Sequence, residues 1–107
     1  MTTEEMNEQA MEIIVNAGNG RTLLNKALEA LYEGDEELYS SHMEDARKEM
    51  VAAHAAQTKV LQSTIEDEEV RPNILFTHAQ DTLMTIMSEM NIAKHLEKIV
   101  RMIVTIQ

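Results

Sequence analysis

Apolar residues recur along the chain at intervals of three and four, the spacing of helices that bury one face. In the first block Met6, Ala10, Ile13, Ile14 and Ala17 follow it, and Leu24, Ala27, Leu28 and Leu31 resume it. The block opens on Thr2-Thr3-Glu4-Glu5, where Thr2 and Glu5 fit a capping box. Between its halves lies Gly18-Asn19-Gly20. Two glycines so close weaken a helix, and an interruption or kink is expected there. Gly34-Asp35 then ends the block. Gly34 suits the left-handed position after a helix, and Asp35 can cap the next one.

The second block places Leu38, Met43, Ala46, Met50, Ala53, Gln57, Val60 and Leu61 on one face. From Met43 onward its alternating steps read like a coiled-coil seam. An acidic turn, Glu66-Asp67-Glu68-Glu69, follows, and Pro72 suits the first turn of a third helix. There Leu75, Ala79, Leu83, Ile86, Met90 and Ala93 form a stripe. A break is expected near Asn91, after which Leu96, Ile99, Val100 and Ile103 carry the pattern on.

No useful length of the chain alternates with period two. The predicted fold is therefore all-α, an antiparallel three-helix bundle forming a single domain over residues 1–107. Helices this long in so short a chain present more apolar edge than one bundle can bury, so self-association is expected.

Composition narrows the chemistry. Aromatics are 3% of the chain, so aliphatic residues, alanine and nine methionines must build the core or an adaptable contact surface. The formal net charge is −10, which repels phosphate backbones and anionic lipid and speaks against nucleic-acid partners. Cysteine is absent, which removes thiolate metal sites, disulfides and a cysteine nucleophile, and fits a cytoplasmic protein. No run approaches the roughly 18 apolar residues of a membrane span, and direct membrane insertion is not expected.

Four histidines remain: His42, His54, His78 and His95. None follows a glutamate by three residues, as in di-iron bundles, and no two are four apart, as in zincins. His54, near the seam, reads as a partly buried histidine; His42 and His95, beside charged residues, read as solvated. His78 lies roughly 100° to one side of the third stripe, with Thr82 and Thr85 close to its direction. His78 and Asp81 leave three readings open: a solvated ion pair, a metal site, or histidine chemistry. A neutral imidazole is a good nucleophile near pH 7. If copies of Asp81 converged on a symmetry axis, their carboxylates would have to protonate or bind a cation, and an oxygen-only ring suits a hard ion such as Mg²⁺.

Three segments carry a family resemblance: EIIVNAGNGRTLLNKALEALYEGD (residues 12–35), AAHAAQTKVL (52–61) and HAQDTLMT (78–85). In order and spacing they resemble the lactose/cellobiose class of IIA components of the bacterial phosphoenolpyruvate-dependent sugar phosphotransferase system. The resemblance implies a homotrimer of three-helix bundles. It implies that His78 accepts a phosphoryl group from the histidine-containing phosphocarrier protein and passes it to a cysteine of the IIB component during β-disaccharide uptake. Asp81 matches the family's axial aspartate, which binds a divalent metal, and Gln80 matches the motif glutamine. Thr82 stands where the motif has histidine; its hydroxyl, like that of Thr85, can donate to a phosphoryl oxygen. The competing reading is a non-enzymatic helical adaptor or oligomerisation module of the same fold.

Overall fold

The computed structural model describes residues 1–106; residue 107, the last of the expected domain span, lies outside them. Three helices follow one another, α1 (Thr3–Tyr32), α2 (Glu36–Glu66) and α3 (Ile74–Ile106), and no strand occurs among the described residues. The chain folds back at each short connection, so α1 and α3 run parallel and α2 antiparallel between them. The rod measures 60 × 18 × 18 Å with a radius of gyration of 16.8 Å. A spherical domain of this length would have about 13 Å, so much of this chain stays at the surface.

Local sequence sets the ends of the helices. The Thr2 hydroxyl accepts from the Glu5 N–H at 3.1 Å, and Glu5 Oε1 accepts from the Thr2 N–H at 3.3 Å, the expected capping box. Gly34 holds a positive φ of 87°, and Asp35 Oδ1 accepts from the Leu38 N–H at 3.0 Å. At the third start the expectation is corrected: helix α3 begins after Pro72, not on it. Asn73 is the cap, its Oδ1 accepting from the Phe76 N–H at 2.9 Å. Proline has no competing side-chain acceptor, and asparagine does.

The glycine pair does not interrupt α1, which runs unbroken through Gly18-Asn19-Gly20. Gly20 is buried, and a Cβ there would stand 2.8 Å from Met50 Sδ on α2. The glycine serves the approach of α2, and packing outweighs its weak propensity. Small residues continue this seam: Ala10, Ala17, Ala27 and Ala30 of α1 and Ala46, Ala53 and Ala56 of α2 are buried. Larger side chains fill the α3 side, with Ile13, Val60, Phe76, Leu83 and Ile86 fully enclosed.

Two further expectations change. Leu38 and Leu61 are exposed, and Tyr39 takes the buried place at the start of α2. No break occurs at Asn91, because α3 is continuous to Ile106. Its distal half is pinned through Tyr39, whose hydroxyl donates to Glu97 Oε2 at 2.5 Å. Arg101 grips Glu36 with two bonds of 2.9 Å and stacks 5.8 Å above the Tyr39 ring. Burial, then the Glu97 hydrogen bond, raises the Tyr39 phenol above its ordinary range. The same bond, received from Tyr39, holds Glu97 below the ordinary carboxylate range.

The expected surplus of apolar edge is present. Helix α3 packs more against α1 than against α2, and its other faces expose Met84, Ile92, Leu96, Ile99, Met102 and Ile103.

Gly18→Ala, with no atom within 4 Å of the new Cβ, stabilises by about 1 kcal/mol through helix propensity. Gly20→Leu costs about 1–3 kcal/mol through overpacking, and urea denaturation distinguishes the two. A depressed carboxylate stabilises above its unfolded pKa and loses that contribution as pH falls through the folded value; a raised phenol contributes below its unfolded pKa and loses it at higher pH. The advantage of wild type over Glu97→Gln therefore holds at pH 7 and shrinks as pH drops below about 4, read as melting temperature against pH. The advantage over Tyr39→Phe shrinks above about pH 10.

Candidate functional site

His78 is the fifth residue of α3, and its position follows from how that helix starts. Asn73 caps the helix and also donates from Nδ2 to Asn7 Oδ1 of α1 at 2.8 Å. At the sixteenth residue of α3, Glu89 receives Arg21 of α1 through two bonds of 2.9 and 2.8 Å. These pairs join positions 66 and 68 apart, which sets His78 level with residues 10–12 of α1, where Met11 is exposed.

The two interhelical pairs define a rigid rail with His78 on its open side. The imidazole is exposed and has no hydrogen-bond or ion-pair partner among the described residues, Asp81 included. The ion-pair reading of His78 and Asp81 is thereby corrected. At about 100° per residue the two side chains diverge by roughly 60° around α3, and each stays solvated.

The motif residues are distributed over three faces of α3. His78, Thr82, Thr85 and Glu89 share the flank turned toward α1. Asp81 lies on the outer face with Ser88, Ile92 and Ile99, all exposed. Gln80, half-buried, projects roughly 200° around the helix from His78 and cannot touch that imidazole within one chain. Thr82 is one turn from His78, but its hydroxyl donates to the His78 carbonyl at 3.0 Å. Thr85 is two turns away, roughly 10.5 Å along the axis, and its exposed hydroxyl has no partner among the described residues.

His54 is exposed, not partly buried as its place near the seam suggested. It borders a groove of about 480 Å³ between α2 and α3, floored by Met50, Met87 and Met90 and flanked by Arg47 and Lys94. The helices stand apart there, so a seam-adjacent position remains wet. His42 is half-buried and His95 exposed.

Chemically, the site is an accessible imidazole near a helix N-terminus. Helical side chains lean toward the N-terminal end, so a group carried on His78 would lie over the first turn, where the helix field favours negative charge. No guanidinium among the described residues bonds to the His78 side chain. Among the described residues no three His, Asp or Glu side chains stand together to hold a metal ion; at its level one chain offers Asp81 alone, which makes no site by itself. The sequence missed the Arg21–Glu89 pair and the Asn7–Asn73 pair. Arg21 stood within the quoted first segment, but Glu89, Asn7 and Asn73 carried no spacing signal.

Comparison with known proteins agrees with the geometry. The family described as PTS system, lactose/cellobiose specific IIA subunit, matches residues 8–101. The chain is 36% identical over 90 residues to the lichenan-specific phosphotransferase enzyme IIA component of Bacillus subtilis (strain 168), covering 84% of this chain and 82% of that protein. It is 33% identical over 84 residues to the N,N′-diacetylchitobiose-specific EIIA component of Escherichia coli (strain K12), covering 78% and 72% respectively. The crystal structure of PtcA from S. mutans superposes with a TM-score of 0.87 at 36% identity, over 94% of this chain and 99% of that one. The chain belongs to the lactose/cellobiose-specific IIA family of the sugar phosphotransferase system.

Asn73 joins the helix start to α1, and its two bonds separate by substitution. Asn73→Ala loses both and destabilises by about 1–2 kcal/mol, while Asn73→Asp keeps the cap and loses only the donor to Asn7. Urea denaturation should order them wild type, Asp, Ala.

Proposed function

We propose that the chain is a phosphoryl carrier in the uptake of β-disaccharides of the lactose, cellobiose and chitobiose type, working through a phosphohistidine on His78. The observation that carries this is the unpartnered, solvent-facing imidazole on a helix pinned at Asn73 and Glu89, within a chain whose family membership is established. A His78 nitrogen attacks the phosphorus of the phosphohistidine on the histidine-containing phosphocarrier protein. The P–N bond to the donor breaks as the bond to His78 forms. A cysteine thiolate of the IIB component next attacks the same phosphorus, giving an S–P bond and freeing the imidazole. Both partners need the open flank, and an exposed group beside Met11 offers it to each in turn. No helix among the described residues is long and apolar enough to cross a membrane; the chain acts on the cytoplasmic side, handing phosphoryl to a membrane component that selects the sugar.

The working unit is a homotrimer built on the outer face of α3. Asp81, Thr85, Ser88, Ile92, His95, Ile99 and Met102 lie on that face with alternating four- and three-residue steps and are all exposed; that is a heptad seam without a partner. A parallel arrangement matches Ile92 and Ile99 with their own copies, whereas an antiparallel one sets Ile99 against Asp81. Around a threefold axis the His78 flank of one chain meets the Gln80 flank of the next at the same height, so Gln80 serves the neighbour's imidazole. Three Asp81 carboxylates meet on the axis and hold a divalent ion, for which Mg²⁺ suits the oxygen donors; the ion neutralises the ring and ties the chains together. Thr82 supports the phosphoryl group from the same flank by fixing the His78 backbone; Thr85, about 10.5 Å along the axis, stands between that flank and the outer face and joins the seam.

Incubation with phosphoenolpyruvate, the general phosphotransferase enzyme and its phosphocarrier protein tests the relay. Wild type gains one acid-labile phosphoryl group per chain by intact mass, and His78→Ala gains none. A wild type that stays unphosphorylated beside an active relative would favour the adaptor reading. Asp81→Leu loses metal by elemental analysis and changes the trimer's melting temperature; unchanged metal content and melting temperature would contradict the axial site.

A further inference from the structure

We propose that His95 forms a second metal site on the same axis, taking a borderline divalent cation such as Zn²⁺ or Ni²⁺ through three imidazoles, one from each chain. The inference rests on the trimer proposed above, and the site does not exist without the other two copies.

The outer face of α3 divides into two lanes of seven-residue period. One carries Thr85, Ile92 and Ile99; the other carries Asp81, Ser88, His95 and Met102. Because α3 is continuous from Ile74 to Ile106, the lanes drift by only about 20° per heptad, which the left-handed supercoil of a parallel trimer takes up. His95 therefore occupies the heptad position of Asp81, two heptads further on, about 21 Å along the axis. If Asp81 reaches the axis, His95 does too.

The surroundings of the two positions differ, and so does the cation each would take. Asp81 lies beside Thr85 and Ser88, which leaves its layer polar. The layers on either side of His95 are Ile92 and Ile99, which are 56% and 52% exposed in the single chain and would close around the imidazoles in a trimer. Lys94 and Lys98 fall on the flank toward α2, and Glu97 is bound to Tyr39 and Arg101, so no charged neighbour on α3 points along the lane. Three imidazoles enclosed by isoleucine each present a nitrogen with no partner, and burying such groups is unfavourable. A cation bound to all three nitrogens satisfies them together, leaving a fourth position for water. Imidazole ligands select Zn²⁺, Ni²⁺ or Co²⁺ over Mg²⁺, the reverse of a carboxylate ring.

The test uses the full chain stripped of metal with a chelator and titrated with Co²⁺ in excess Mg²⁺, followed by visible absorption and calorimetry, with sedimentation velocity on the same samples. The expected result is a trimer that binds one Co²⁺ per three chains with a ligand-field band. His78→Ala keeps that binding. His95→Leu, which puts an apolar side chain into an apolar layer, remains a trimer and loses it. A trimer whose Co²⁺ titration is the same for wild type and His95→Leu overturns the site while leaving the trimer intact. A monomer overturns the assembly itself, and the site with it.

Discussion

Everything distinctive about this chain depends on the close approach of α1 and α2. Gly20 against Met50, and alanines on both sides of the seam, let two helices of about 30 residues pack with little between them. The third helix then has one main support, α1, and stands apart from α2 along the groove that His54 borders. A helix supported on one side is left with an open flank and an open outer face. The flank carries His78 and the outer face carries the heptad lanes. The proposed function and the proposed assembly thus fall on surfaces that the tight hairpin leaves uncovered.

Polar pairs fasten this helix alongside its buried core of Phe76, Leu83 and Ile86. Asn73 with Asn7 fastens the start, Arg21 with Glu89 the middle, and Tyr39 with Glu97 and Arg101 the distal half. The middle pair is about 40% exposed on each side, so it contributes register more than stability. Register is what the proposed phosphoryl carrier needs: an imidazole presented at a fixed level beside α1.

Much of the fold was legible in the sequence, because the signals were local. The capping box at Thr2 and Glu5, the turn at Gly34-Asp35 and the three apolar stripes depend on residues within a few positions of one another. The misread places depend on partners far along the chain. Gly18-Asn19-Gly20 looked like a kink because Met50 lies 30 residues beyond Gly20. Pro72 is the exception: the Asn73 cap that displaces it reaches only three residues on, to Phe76. His54 looked half-enclosed because the gap between α2 and α3 is a tertiary property. At the site, His78 and Asp81 were recognisable by type and by their motif. Spacing alone could not separate an ion pair from two independent groups, and only the observed side chains show that they do not pair. Gln80 shows the complementary case: two residues from His78 in the motif, it lies on the opposite flank and reaches an imidazole only in the proposed trimer.

The central claim is that one imidazole, His78, carries the phosphoryl group. The most direct measurement is localisation of that group, by gentle fragmentation mass spectrometry of the chain phosphorylated through its natural donor and kept at alkaline pH. The account predicts a single phosphoramidate on the peptide containing THAQDTLM, at His78, in every modified chain. A phosphoryl group on His42, His54 or His95, or spread among several histidines, would contradict it.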